Sequence, residues 1–429
     1  MPMYDVIVIG GGASGLMAAI QAAKEGASVK VIDALPEYGK KITVTGNGKC
    51  NLTNKEAGFV SHYHTDDIEK LKGILEEITP EVLIREFSAL GLICREKNGY
   101  YYPYHENAAL VRDLLGQRVY DFGGKIETGN FCRSITSALP GRDPEYEAGY
   151  HYFVNGDSCR TVIVATGSMA GGLMRMDEKE FMQFLNHSTS FTYLPYRPAL
   201  TKCYVADTDK PRLDALKGLR MKGKVSLFVD DAEVERDYGE IQFTKDALSG
   251  IVVFQVSGSA AQALEENQKV QLKLDLLPEY SLEALGTMLE SRQKSGLTYA
   301  KSLLGGIFPE QLLSLLCKEV GVDLSLKKQP LSIEKAMDVL RLAKTFTFAI
   351  AHTGDLRESQ VSRGGILLSH VSKQLQYFDG ENGQNPTDIF VCGEVLNVDG
   401  DCGGFNLHFA FASGIIAGRN AARRAKELC

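Results

Sequence analysis

The chain has 429 residues, 44% hydrophobic and 24% charged, with a net charge of -7 and a pI near 5.7. These values fit a globular protein of two or three domains and exclude long disorder. With no basic run beyond the short cluster Arg423, Arg424 and Lys426, they argue against nucleic acid as the main partner.

The N-terminal stretch "YDVIVIGGGASGLMAAIQAAKEGASVKVIDA" reads strand, glycine turn, helix, strand. Val6 to Ile9 is apolar throughout, as in a strand buried on both faces of a parallel sheet. Leu16, Ala19, Ile20 and Ala23 fall at helical spacing, Gly26 closes that helix, and Val29 to Ile32 form the next strand. A polar loop, "TVTGNGKCNLTN", follows from Thr43 to Asn54. Residues 64 to 92 read as helices, and "YYYPYHENAALVRDLLGQRVYDFG" has a polar start and a helical body. Strands dominate from 124 to 164 and again, as short alternating segments, from 191 to about 275. Residues 280 to 345 read as helical. Residues 386 to 424 return to strand, glycine loop and helix. No apolar run reaches the ~18 residues of a membrane span. The start "MPMYDVIVIG" enters a strand almost at once, with no charged n-region and no cleavable h-region, so no leader is expected. The nine cysteines show no CxxC, and their odd count fits a reducing compartment. The expected location is the cytoplasm, with no membrane partner. The order of elements predicts an α/β fold in which both chain ends (1–190 and 346–429) build one Rossmann-type domain. A β-rich and helical insertion (191–345) forms a second, substrate or cap domain.

Gly10, Gly12 and Gly15 match G-x-G-x-x-G, with Ala13 and Ser14 inside the motif. The first glycine permits the turn, the second lets backbone approach a pyrophosphate, and the third allows close helix packing. The helix start then offers free N–H groups to phosphates. Asp33 ends the second strand 23 residues after Gly10, where an acid bonds a ribose hydroxyl. Together these predict dinucleotide binding. Thr166 and Gly167 end "TVIVATG". Gly393 and Glu394 end "DIFVCGE". Gly403 and Gly404 precede the last helix, with Phe405 and Asn406 at its start. A chain that returns to the cofactor this often suits a permanently held FAD better than a transient nicotinamide. The eight histidines and nine cysteines show no ligand spacing, so no metal is expected.

The stretches "VIGGGASGL", "GKKITVTGNGKCNLTN", "YYPYHENAALV", "GEIQFTKDALSGI", "VSRGGI" and "GEVLNVDGDCGGFNL" resemble the BaiN-like family of two-domain FAD flavoproteins. That family includes aminoacetone oxidases and reductases of unsaturated bile-acid ketones. The resemblance implies a GR2-like FAD-binding domain, non-covalent FAD and an oxidoreductase. It implies that the glycine-asparagine loop wraps the cofactor, with Gly46, Asn47, Gly48, Cys50 and Asn51 beside it. Lys40, Lys41 and Lys49 would then neutralise the pyrophosphate or polarise the ring. Cys132 joins the cofactor set, and Glu394 would bond the ribityl chain. Lys49, Asn397, Phe405 and Tyr100 depart from the family pattern of Arg, Asp, Tyr and Arg, and the last departure bears on the substrate side. No catalytic acid or base is legible; Tyr102, Tyr104, His105 and His408 are the candidates. The leading expectation is a reductase of a small organic substrate, such as an enone, with NAD(P)H as transient reductant. The alternatives are an oxidase of a small amine or amino ketone using O2, and a flavin-bound RNA-modifying or regulatory protein. Oligomeric state is silent in the sequence.

Overall fold

Strand β1 (Met3–Ile9) lies in the middle of a parallel array, which is why its second half is apolar on both faces. The computed structural model describes residues 3–173, 191–324, 330–380 and 383–429. β1 is flanked on one side by β2 (Val29–Asp33) and then β3 (Lys125–Thr128). On the other side lie β4 (Asp157–Val164) and then β5 (Asn385–Val391). The order β3-β2-β1-β4-β5 is that of a Rossmann-type sheet, as expected from the sequence. Gln376–Asp379 adds an antiparallel edge to β5, and Tyr152–Val154 pairs antiparallel with β4.

Register matters more than order for the site. Ile9 lies opposite Ile32 and Val164, and Val164 lies opposite Val391. The residues that follow these strands therefore emerge along one edge: Gly10, Asp33, Ala165 to Gly167, and Cys392 to Glu394. Ligands of open α/β sheets bind at the carboxyl ends of the strands.

Helix α1 (Ala13–Lys24) and the C-terminal helix α2 (Phe405–Glu427) pack together over this sheet. Two glycines one turn apart set the spacing. A Cβ on Gly414 would stand 2.4 Å from the Ser14 carbonyl oxygen, and one on Gly418 2.2 Å from that of Ala18. The end of the chain is thus locked against its beginning.

The chain divides into two compact units, Met1–Arg197 with Val361–Cys429, and Pro198–Gln360. Residues 191–197, expected to open the insertion, group with the first unit; residues 174–190 lie outside those described. Residues 346–360 group with the second unit, because Phe346–Thr353 pairs with Cys203–Val205 and with Val270–Asp275. Those strands, with Arg220–Val229, Ala232–Phe243 and Ala247–Ser249, close a six-stranded antiparallel barrel. Val225, Leu227, Phe243, Leu272 and Phe346 are among its fully buried or nearly buried core.

One segment departs from the sequence reading. Ile251–Glu265, expected as strand, is a 15-residue helix entered through Gly250 at φ +99°. Its β-branched start ("IVVFQV") favours strand by local preference. Burial of Val252, Val253, Val256, Ala260 and Ala263 overrides that preference.

Candidate cofactor and active site

The fingerprint turn separates into packing glycines and one open glycine. Gly10 sits at φ +107°, and a Cβ there would lie 2.3 Å from the Ala165 carbonyl oxygen. A Cβ on Gly15 would lie 1.8 Å from the carbonyl oxygen of Gly10. Around Gly12 the space is open, with nothing within 4 Å of its missing Cβ. Gly12 caps α1, whose start has no side-chain cap and no acidic residue in its first turn. The first N–H groups of α1, which have no partner within the helix, thus begin beside this open glycine at the positive end of the helix.

Asp33 sits beside this turn. One carboxylate oxygen accepts the Gly11 N–H at 2.7 Å and the other the Leu35 N–H at 2.8 Å. Burial pushes its pKa above the ordinary value against these two bonds. Asp33 thus anchors the turn, and each oxygen keeps a second lone pair for a ribose hydroxyl.

The glycine-asparagine loop opens as a helical turn (Lys40–Val44) and then turns left-handed. Gly46, Asn47, Gly48 and Cys50 have φ of +56°, +55°, +81° and +58°. Such crowding of positive φ explains the composition, since glycine and asparagine tolerate it best. The Cys50 thiol is fully buried, and desolvation pushes its pKa up to about 12, so it stays a thiol. Asn51 is 8% exposed, and its Oδ1 lacks a hydrogen-bond partner among the described residues. Its amide lies against Gly404, where a Cβ would come within 2.9 Å of it. Asn54 Nδ2 donates to the Gly403 carbonyl at 2.6 Å. The loop is therefore laid on the glycine pair that starts α2.

The ends of β4 and β5 complete the edge. Gly167 (φ +70°) again has nothing within 4 Å of its missing Cβ. The Gly393 N–H donates to Ser413 Oγ at 2.9 Å. Glu394 accepts from Lys41 Nζ at 2.6 Å, Ser168 Oγ at 2.8 Å and the Ser362 N–H at 3.1 Å. Its carboxylate, expected at a ribityl chain, ties four chain segments together. Ser168, Ser362, Ser413 and Asn54 were not singled out by sequence; their roles depend on partners far along the chain.

Other expected residues serve the scaffold with their side chains. Phe405 stacks on His62 at 4.5 Å and meets Tyr63 edge-on. Both ends of the Asn406 amide close on Gly400, at 2.8 and 2.6 Å. Thr166 donates weakly to the Gly167 carbonyl. Lys40 pairs with Glu37 and Lys49 with Glu106. Cys132 is buried after β3, its thiol pushed up to about 12 by desolvation. Asn397 donates to Asp66 at 2.9 Å and accepts from the Gly364 N–H at 3.2 Å. An aspartate at 397 would set a second carboxylate against Asp66.

Beside Gly403 stands a small hairpin, Cys94–Lys97 and Tyr100–Pro103, whose second strand also pairs with Thr53–Asn54. The ring of Tyr100 lies 3.0 Å from a Cβ built on Gly403. Tyr102 shares the face of Tyr100 by strand alternation. Burial raises its pKa, with Tyr100 adding to that and Lys49 opposing. Tyr104 is exposed, and His105 meets it edge-on. Glu106 takes bonds from Lys49, Arg95 and Lys97, which hold its carboxyl down to about 2.

His408 leaves the list of acid-base candidates. It is fully buried, its Nδ1 lies 2.9 Å from Thr53 Oγ1, and desolvation pushes its pKa down to about 4. A base whose pKa falls on folding binds its proton only in the unfolded chain between the two values. Stability should therefore fall as pH drops from 6.5 towards 4, by up to about 3 kcal/mol. Thermal unfolding of His408→Gln across this range should show a shallower slope than the parent; an equal slope would assign the pH effect elsewhere.

The donors and spaces fit FAD: an open helix start at Gly12 for a pyrophosphate, Asp33 for a ribose, and the buried acceptor Asn51 Oδ1 among glycine turns for a polar ring edge. Among the described residues, no group of three or more His, Cys, Asp or Glu side chains is placed to hold a metal, and no helix is long and apolar enough to cross a membrane.

Residues 4–420 match the family described as HI0933-like protein Rossmann domain. The chain is 32% identical over 435 residues to the 3-dehydro-bile acid delta(4,6)-reductase of Clostridium scindens, covering 98% of this chain and 100% of that protein. It is 26% identical over 420 residues to the ribosomal RNA dihydrouridine synthase of Haemophilus influenzae, covering 97% and 98%. The solved 3-ketosteroid-delta4-(5alpha)-dehydrogenase from Rhodococcus jostii superposes with a TM-score of 0.48 at 14% identity, covering 98% of this chain and 97% of that one.

Proposed function

The chain belongs to the HI0933-like Rossmann-domain family and is an FAD-dependent oxidoreductase, and from that premise we propose that it reduces a carbon–carbon double bond conjugated to a carbonyl, with NAD(P)H as electron source. The observation that carries this is the likeness, over 98% of the chain, to a reductase whose name places its double bonds in conjugation with a 3-oxo group. The name of the second relative describes the same chemistry, because the 5,6 double bond of uracil is conjugated to its C4 carbonyl.

Bound FAD supplies hydride transfer at its ring. The chain's own part is to hold, orient and protonate. Backbone N–H groups at the α1 start bind the pyrophosphate, and Asp33 fixes that turn while offering lone pairs to the ribose. Asn51, Gly403 and Gly404 border the ring. Saturating a conjugated double bond needs a hydride at the β carbon and a proton at the α carbon. Tyr102 Oη, on the hairpin face whose Tyr100 abuts Gly403, carries that proton at neutral pH as any phenol does.

Two acceptor classes follow from this chemistry. A small unsaturated ketone is the first reading. A uracil base within RNA is the second, favoured by the match over 97% of the chain to the dihydrouridine synthase. With no second G-x-G-x-x-G for a nicotinamide cofactor, NAD(P)H and the acceptor would use the same opening in turn.

The test is anaerobic. NADH and then NADPH are added to the yellow protein, and the visible flavin absorbance is followed. Bleaching is expected with at least one. A steroid 4,6-dien-3-one and a uridine-containing RNA are then offered separately to the bleached protein. Return of colour with either supports double-bond reduction and names the acceptor. No bleaching with either nucleotide overturns the nicotinamide reading. Colour that neither acceptor restores overturns double-bond reduction, and bleaching by a small amine or amino ketone where NAD(P)H fails favours an oxidase.

A further inference from the structure

The net charge of -7 conceals a local excess of the other sign. Asn98 and Gly99 have φ of +55° and +87°, the two-residue turn that gives a hairpin a tight, fixed register. That register sets Arg95 opposite Tyr102 and Lys97 opposite Tyr100. Directly opposed residues share a face, so one face of the hairpin alternates cations with aromatic rings. Lys49, from the glycine-asparagine loop, joins it through Glu106. Three cations thus meet one carboxylate. The Lys97 side chain is 55% exposed. Tyr104 is 53% exposed, with the Arg95 guanidinium 5.9 Å from its ring centroid. Tyr100 abuts Gly403, so this surface runs up to the cofactor cradle.

We propose that this hairpin, with Lys49, is a docking surface for a single-stranded segment of RNA. The inference rests on the second acceptor reading above and deepens it. Single-stranded nucleic acid is held by bases stacked on aromatic rings and phosphates tracked by cations, and both elements alternate here. A steroid would use neither the exposed phenol of Tyr104 nor more than one of the cations. The sequence hides this surface because Lys49 lies some forty-five residues before the hairpin.

The test uses the full FAD-loaded chain and a fluorescently labelled oligouridylate, with binding read by anisotropy over a salt series. Lys97→Glu and Tyr104→Ala are the variants, since both side chains are exposed and neither belongs to the cofactor cradle. Each should weaken binding about tenfold. Lys97→Glu should also lower the slope of log K against log salt by about 0.7. Flavin absorbance and the bleaching rate with NAD(P)H should stay at the parent values, which shows the fold is intact. Parent protein that does not bind the oligonucleotide, or variants that bind like the parent, would overturn the proposal. Oligouridylate binding that the variants lose, with no acceptor restoring the flavin colour, would keep the surface and sink the reduction reading instead.

Discussion

Gly12→Ala is expected to give a folded protein that has lost most of its affinity for FAD, whereas Gly10→Ala is expected to damage the fold itself. The two positions are two residues apart in one motif, and the contrast comes from what each missing Cβ would meet. At Gly12 the backbone is at φ -82° and extended, a conformation open to any residue. Nothing lies within 4 Å. The folded chain loses only the difference between glycine and alanine as a helix cap, about 1 kcal/mol. The new methyl occupies the space in front of the α1 N–H groups. Holding a pyrophosphate off one or two charge-assisted hydrogen bonds costs about 1.5–3 kcal/mol each, so FAD affinity should fall about a hundredfold or more. At Gly10 the residue sits at φ +107°, and its Cβ would overlap the Ala165 carbonyl at 2.3 Å. Backbone strain of about 1–3 kcal/mol then adds to a clash between two backbone segments. FAD titration and the melting temperature of the apoprotein separate these outcomes. Stoichiometric, parent-like FAD binding by Gly12→Ala would show that the pyrophosphate does not lie over this helix start.

The sequence made the Rossmann half legible because its signals are local. Val6 to Ile9, the three spaced glycines and Asp33 fall within thirty residues, and each has a physical reason independent of the rest of the chain. The site's inner wiring is not local. Lys41 meets Glu394 across 353 positions and Asn397 meets Asp66 across 331, so no window of sequence contains both partners. Barrel closure has the same character, since Cys203–Val205 finds its second neighbour at Phe346–Thr353. Ile251–Glu265 failed for another reason. A helix enclosed by apolar neighbours loses the polar stripe that reveals helical period, and what remains is a β-branched run. His408 looked like chemistry because histidine often is; only its burial against Thr53 shows that it is core.

Tyr102→Phe should slow reduction of the conjugated substrate by about 10²–10³-fold while leaving flavin bleaching by NAD(P)H unchanged, because a positioned general acid contributes about 10²–10⁴-fold and acts on one half-reaction only. The case starts from geometry. Tyr102 lies on the same hairpin face as Tyr100, whose ring abuts Gly403, and its charge environment includes Lys49 from the cofactor loop and Cys402 beside the glycine pair. Of the other candidates, His408 is neutral and enclosed, and His105 lies edge-on to Tyr104, away from the glycine pair. Tyr104 is open to solvent. Phenylalanine keeps the ring and its packing, so FAD content and melting temperature should hold. The two half-reactions can be timed apart by reducing the protein with NAD(P)H under anaerobic conditions and then mixing it with acceptor. The second phase should slow and lose its solvent deuterium isotope effect, since protonation from Tyr102 Oη no longer contributes to it. If both phases keep parent rates, the proton comes from water or from the substrate's own surroundings, and Tyr102 is a wall of the site. If both phases slow together, the phenol acts through the cofactor's position, because only a shared element can move two reactions that have no substrate in common.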